Sequence, residues 1–587
     1  MAAAFAALFA SPIDAQKTLR VAFPIAENGL DPQVIYDEYS AKVCNVIFDT
    51  LYAFDYFARP VKLVPNTADG MPEVSDGGRT FTVKVKSGIF FATHAAFGGR
   101  KRELTAHDYV YSIKRIFDPK IRSYYLYLFE NRLVGLDPLL AQARKTGKFD
   151  YDAPIEGLRA IDRYTLQIRL KAPDYAVPYW LASTVTAAVA KEVVSAKGDA
   201  SGRVMEDPVG TGPYRLAEWR RSQRIVLEAN PDFRDVRFPT PPPGSPAEDF
   251  EIAKGLSGRK LPLVPRVEIS IIEESQPRLL AFRSGNLDYV DVPSSLATTV
   301  LDGSKLKPEL AAAGVKLQRQ VEPALGFFFF NMDDPVVGGY TPEKVALRRA
   351  IVMAQDRKER NLVVRNGQAE LATQMIPPPV PGHSPALAMK DPYDPAAARA
   401  LLDRFGYKDR DGDGFRERPD GSPLVLEINT QSQLRDRRIA EVMTKNMKTL
   451  GIRVRMKVAQ WPENLKSARA GKYQMWSLGG SSASPDSAGA FQRMDSRQIG
   501  GQNMARVRLP ALDAAYSKLQ ELPDGPERLA VFREAERIAL AYMPYKFTLN
   551  RVSIDMAQPH VIGYRHPVFW QDWWHYVDID DSLRSKR

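Results

Sequence analysis

Hydrophobic positions change period repeatedly along this chain, and the changes predict alternating strands and helices. Leu19, Val21 and Phe23 alternate with polar neighbours, the period of a half-buried strand, and residues 81–85 (FTVKV) and 166–170 (LQIRL) do the same. Further strands are expected at residues 225–227, 267–272, 424–428, 452–458 and 545–549. Between them the period lengthens to that of a helix. Thr105 with Asp108 makes a capping box ahead of the apolar face Tyr109, Ile113 and Ile116. Thr341–Pro342 and Asp394–Pro395 each open a helix with proline at its first position, and Gly406 ends the second. Ile439, Val442, Met443 and Leu450 form one more face, and Gly451 leads from it straight into the strand at 452–458. Helix, glycine and strand in that order predict an α/β architecture. The proline-rich stretch 239–246 is expected to form an exposed loop, and its neighbour up to Pro265 is an insertion candidate.

A chain of 587 residues exceeds what one hydrophobic core supports, so two or three domains are expected. Hydrophobic residues at 44% and charged residues at 26% give a globular balance, and no apolar run reaches the length of a membrane span. Residues 1–15 open with a short apolar run and a break, which reads as a secretory signal without its basic n-region; the alternative is a frayed apolar terminus. No cysteine follows to take a lipid, so the exported chain is expected to be free of an anchor. Cys44 is the single cysteine, which excludes a disulfide scaffold and a four-cysteine zinc site. The net charge of +11 is spread in short clusters among acids, such as Arg220, Arg221 and Arg224, or Arg348 and Arg349. That pattern reads as solvated basic surface rather than a nucleic-acid interface.

Signatures of catalysis are missing: the sequence has no nucleophile elbow, phosphate loop, dinucleotide fingerprint or HExxH. His560, His566 and His575 cluster near the C-terminus among tryptophans, at spacings that suit a packed segment better than a metal site. One run does carry metal-ligand spacing. Asp409, Asp411, Asp413, Phe415 (through its carbonyl), Glu417 and Asp420 fall at positions 1, 3, 5, 7, 9 and 12 of a calcium loop, with Gly414 at 6. Asp420 in place of a longer glutamate, Pro419 at the exit and the missing second helix leave a plain polar turn as the alternative to structural calcium.

Seven segments in order resemble the family 5 extracellular solute-binding proteins, the peptide, nickel and related binders of bacterial ABC importers. They are LDP at 30–32, LTAHDYVYSIKRI at 104–116, VGTGPYRLAEW at 209–219, SGNLDYVD at 284–291, LGFFFFNMDDP at 325–335, ALRRAIVMAQDR at 346–357 and YDPAAARALLDRFGY at 393–407. Most of these residues have structural readings: Gly210, Gly212 and Pro213 shape a turn, and Arg348, Arg349 and Arg357 read as a solvated face. The resemblance implies a two-lobed periplasmic binding protein fold of type II with an extra domain in the first lobe. Its expected segments are 16–52, 180–272 and 545–587 for lobe 1, 53–179 for the extra domain and 273–544 for lobe 2, with hinges near Ile272 and Tyr545. It also implies a periplasmic, monomeric protein that hands a peptide or other small solute to ABC permease subunits in the membrane. No enzyme activity, cofactor or nucleic-acid partner is implied; an exported hydrolase and a basic surface-interaction protein are the competing readings. Ligand contacts are expected from Trp461, Trp476, Gly479, Gly480 and Ser481 on one lobe and from Tyr36 and Tyr39 on the other. Peptide-binding members follow the equivalent strand with an aspartate for the ligand's amino group, whereas here no acid appears until Asp486.

Overall fold

A computed structural model describes residues 17–384, 393–481, 485–569 and 573–584, so the expected signal segment and its cleavage site lie outside the described residues. All of the strands expected from the period of the sequence form, and so do the four helices. Thr105 and Asp108 make the expected capping box on helix Ala106–Phe117. Among the described residues no helix is long and apolar enough to cross a membrane.

Lobe 1 is built on a four-stranded sheet, in the order Thr18–Phe23, Arg266–Ile271, Arg224–Ala229, Tyr214–Arg220. Its first pair is parallel and the other two are antiparallel. The glycines ahead of Tyr214 are there for close approach. A Cβ on Gly210 would lie 2.0 Å from the Ile47 carbonyl oxygen, and one on Gly212 would lie 2.6 Å from that of Val46. Only glycine lets this turn close on the end of helix Glu38–Ile47. The LDP element and the SIKRI segment meet in a buried ion pair, Asp31 with Arg115, whose guanidinium donates to the carboxylate at 2.5 and 3.0 Å.

The extra domain has its own four-stranded antiparallel sheet, Glu73–Ser75, Thr80–Lys84, Thr165–Arg169 and Leu158–Asp162. Its core runs from Leu51 through Trp180, Val193 and Val204 to Val209. The domain therefore extends past the expected end at 179, because the segment after Trp180 packs its apolar residues onto this core. The proline-rich loop 239–246 is exposed over most of its length, as expected. The segment after it is anchored at its end, where Leu256, Leu261, Leu263 and Val264 are buried in one cluster with Val561 and Val577 of the lobe 1 core.

Lobe 2 holds a six-stranded sheet in the order Ala369–Leu371, Tyr545–Val552, Val321–Phe330, Met475–Ser481, Val425–Thr430, Arg453–Val458. The four phenylalanines 327–330 show why an unbroken apolar run belongs at its centre. Phe327 and Phe329 pack with Met375, Trp476 and Tyr545 on one face, while Phe328 and Phe330 pack with Leu347, Leu426 and Met447 on the other. Tyr545–Val552 is likewise buried along most of its length and pairs on both sides within this sheet. The boundary expected at Tyr545 is therefore wrong by a whole strand.

A three-stranded sheet joins the lobes, with Asp555–Ala557 between Tyr289–Asp291 and Lys316–Gln318. Around it, Leu279, Phe282, Val290 and Val315 pack with Ile554 and Met556. Asp288 ties this unit to lobe 1 by accepting from the Arg20 guanidinium at 2.7 Å. Residues 273–318 thus stay with lobe 1, and the chain crosses at 319–320 and returns at 553–554.

Candidate functional site

Three adjoining cavities, of about 310, 460 and 260 Å³, lie in and beside the cleft: lobe 1 contributes to the first and the extra domain to the third, whereas the second is lined by lobe 2 alone. Arg365 and Arg551 line both of the first two, and Leu325 and Gly480 line both the second and the third.

The first cavity takes its walls from both lobes and the joining sheet. Lobe 1 supplies Phe23, Tyr39 and Lys42, the joining sheet supplies Asp291 and Asp555, and lobe 2 supplies Glu322, Arg365 and Arg551. Lys42 Nζ lies 2.8 Å from the Glu38 carboxylate, and Arg551 donates to Glu322 at 2.5 Å. Asp291 faces the cavity but is walled by protein. It is exposed to the cavity, but the surrounding protein limits its solvation, and this and the neighbouring Asp555 carboxylate push it up to about 6, against the pull of Lys42. Asp555 itself accepts from the hydroxyls of Tyr289 at 3.0 Å and Tyr564 at 2.7 Å and pairs with the His566 ring.

The second cavity lies where the parallel strands of lobe 2 end. Gln431, Gln433 and Arg435 follow strand Val425–Thr430, Trp461 follows strand Arg453–Val458, and Gly479 and Gly480 belong to the end of strand Met475–Ser481. The carboxyl ends of parallel strands are where open α/β sheets place their ligands, since the loops there diverge and leave a crevice. Helix Arg357–Arg365 adds Arg360 and Arg365 to its wall. In the third cavity Tyr127 of the extra domain and Leu325, Met375, Tyr545 and Phe547 of lobe 2 contribute to the lining. Arg493 stands in that cavity with its guanidinium 4.8 Å from the centre of the Phe327 ring.

With this geometry in place the chain can be compared with known proteins. The family model for bacterial extracellular solute-binding proteins, family 5 (middle region), matches residues 62–502. The chain belongs to this family. Di/tripeptide-binding protein 2 of Pseudomonas aeruginosa is 26% identical over 579 residues, covering 96% of this chain and 94% of that one. Heme-binding protein A of Haemophilus influenzae is 23% identical over 512 residues, 86% of this chain and 83% of its own. Among solved structures, NikA from Brucella suis in complex with Fe(III)-EDTA superposes with a TM-score of 0.74 at 18% identity, covering 96% of this chain and all of its own. HbpA2 from Haemophilus parasuis gives 0.73 at 19% identity with the same coverage. The fold is the two-lobed periplasmic binding protein fold, and the protein is a solute-binding protein of the ABC importer type.

The residues expected from the sequence to contact a ligand fall as follows. Trp461 lines the second cavity and is 44% exposed. Trp476 is 1% exposed and lies one layer behind, its ring 5.2 Å from that of Trp461 and 6.2 Å from that of Phe329. Gly479 and Gly480 line the cavity, and Ser481 pairs through its backbone with Ala324. Tyr39 lines the first cavity, whereas Tyr36 stands exposed outside all three. Asp486 is held at 2.7 Å by Arg528 and caps the helical turn Ser487–Met494. Arg348, expected on a solvated face, is fully buried and donates to the carbonyls of Tyr542, Val337 and Gly339 at 2.7 to 3.0 Å. Arg357 likewise donates to the Ala372 carbonyl at 2.6 Å. Arg360, Arg365, Arg435 and Arg551 are the cavity residues that sequence reasoning missed. A basic helix face has the same periodicity whether it meets water or a ligand.

In the calcium-spaced loop, carboxylate oxygens of Asp409, Asp411 and Asp413 come within 4.8 Å of one another. They are engaged in the turn itself: Asp409 accepts from the amides of Gly412 and Gly414, and Asp413 accepts from that of Phe415 and pairs with Arg453. Glu417 turns away to the Arg410 amide and Asp420 to Ser422. The loop lies outside the residues that line the cleft.

Proposed function

We propose that this protein works in the periplasm, encloses one small solute between its lobes by hinge motion and passes it unchanged to the permease of an ABC importer. The observation that carries this reading is the first cavity, walled by both lobes, which are joined by two short crossings at 319–320 and 553–554. Rotation about such crossings opens and closes the cleft without disturbing either core.

Delivery without turnover is supported by the serine, histidine and aspartate set found in the cleft among the described residues. Ser553 Oγ lies 3.5 Å from His566 Nδ1, and Asp555 pairs with that same nitrogen. A nucleophile relay needs its serine and its acid on opposite ring nitrogens, so this set cannot pass a proton from one to the other.

Small-angle scattering on protein carrying its co-purified solute, and again after the solute has been stripped, tests the reading. The loaded protein should be the more compact, and mass spectrometry should recover the solute intact after prolonged incubation. An unchanged radius of gyration, or a chemically altered solute, would refute it.

A further inference from the structure

The second cavity has an unusual balance of charge. Arg360, Arg365, Arg435 and Arg551 line it against a single acid, Asp436. Asp436 already lies 3.4 Å from the Arg435 guanidinium, and Glu322 takes up Arg551. Arg360 and Arg365 are left. Arg360 is 6% exposed and donates to Ser477 Oγ at 3.0 Å, and among the described residues neither it nor Arg365 has a carboxylate within ion-pair distance. Burial and the neighbouring guanidiniums hold Arg360 and Arg365 down to about 10. A protein that gathers like charges in a confined space bears their repulsion until an anion enters.

Two further features point into the same cavity. Helix Leu434–Lys448 begins on its wall, and its N-cap Gln433 makes no side-chain cap bond, so the first amides of the helix remain free to donate. Thr548, 1% exposed on the opposite wall, has no hydrogen-bond partner for its hydroxyl among the described residues. A buried hydroxyl of that kind is expected to find its partner in a ligand. The acid that follows the cavity strand, Asp486, is committed to Arg528 and leaves no counter-charge there for a ligand ammonium.

We infer that the solute is a dianion or higher, a small molecule whose two or more carboxylates are received by Arg360 and Arg365, with Arg435 and Arg551 completing the basic wall. This rests on the cleft being the solute site. Planar guanidiniums meet carboxylates through paired hydrogen bonds, which suits an arginine set better than lysines. The cavity of about 460 Å³ holds a molecule of metabolite or short-peptide size.

The test is calorimetry on the full, solute-stripped chain with three probes: citrate, N-acetyl-Glu-Glu and Ala-Ala-Ala. One or both anions should bind, at least tenfold more tightly than trialanine, and their affinity should fall with added salt. Binding of citrate alone identifies a non-peptide polycarboxylate, and binding of N-acetyl-Glu-Glu alone an acidic peptide. Arg365→Gln should weaken the bound anion about tenfold, about 1.4 kcal/mol, with the melting temperature unchanged, and Arg365→Lys should recover part of the loss. Trialanine binding as tightly as the anions, or a folded Arg365→Gln variant of wild-type affinity, overturns the inference. If no probe binds, the net charge of the co-purified solute decides. A neutral or cationic solute overturns the inference and leaves the binding-protein reading intact, while a dianion upholds it. A cleft that takes no probe and carries no solute defeats both.

Discussion

Trp461 and Trp476 sit in contact, yet their chemistry differs because one faces water and the other does not. Trp476 fills the core behind the cavity, so its loss would be felt in folding. Trp461, 44% exposed, offers a flat apolar face to whatever enters. Trp461→Ala should therefore lower stability by less than about 1 kcal/mol while weakening solute binding about tenfold. Equal losses in chemical denaturation and in calorimetric affinity would make it a core residue instead. Glu536 shows burial acting on a carboxyl group. It is 4% exposed, and burial raises it from 4.5 to about 7, although the Met375 amide donating to it at 3.0 Å pulls the other way. A carboxyl group whose folded value is raised binds its proton more tightly in the folded chain. Stability therefore falls as pH rises from about 4.5 to about 7 and stays lower above, by on the order of 3 kcal/mol at most. Glu536→Gln keeps the acceptor for the Met375 amide without the charge, so its melting temperature should exceed that of the native chain at pH 8, with the gap closing toward pH 5. Parallel profiles for the two proteins would show that Glu536 is not the group responsible.

At the scale of elements, what the sequence makes legible is whatever a repeating period or a cap encodes locally. Thr105 with Asp108, Asp394 with Pro395 and the glycine at 451 mark real boundaries, because each satisfies backbone groups where it stands. Assignment of an element to a lobe is not encoded locally. Residues 545–549 (YKFTL) alternate apolar and polar, which predicts a strand but neither the sheet that receives it nor the burial of Lys546 and Thr548 on its second face. Arg348 is similar: its spacing suits a solvated helix face, and its burial depends on the carbonyls of Val337, Gly339 and Tyr542 brought in from elsewhere. The candidate site was half legible for the same reason. Trp461 follows a recognisable strand and the paired glycines end another, while Arg360, Arg365 and Arg435 belong to helix faces, and Arg551 to a strand end, whose partners are fixed only by the fold. The calcium-spaced loop shows spacing alone falling short, since Asp413 already has Arg453 and Glu417 faces the Arg410 amide. Millimolar calcium added to metal-stripped protein should give no binding heat and no rise in melting temperature. A measurable rise, lost in Asp409→Asn, would establish the loop as a metal site.

For the whole molecule the consequence of the crossings is that lobe 2 is an insertion whose two ends meet. Val321 and Val552 are paired across adjacent strands, and Gln318 and Asp555 are paired in the joining sheet one step beyond. A unit whose ends lie side by side can leave its host without a stretched or threaded chain, and a sheet with a core on each face can fold alone. Both conditions hold here: the sheet is packed by the cluster around Phe327 and Phe329 on one side and by that around Phe328 and Phe330 on the other. Phe54, Val61, Val568 and Phe569 are the apolar contacts with the first cluster that excision would remove. A fragment of residues 319–554 should therefore be soluble and melt cooperatively, somewhat below the melting temperature of the full chain. It keeps Trp461 and the arginines but loses Tyr39, Lys42 and Asp291, so it should bind solute far more weakly than the full chain. Circular dichroism on heating and calorimetry with the co-purified solute check both halves. A fragment without a cooperative melt would place the lobe boundary elsewhere, and one that binds as tightly as the full chain would mean that the solute is held by lobe 2 alone and that closure adds nothing to affinity.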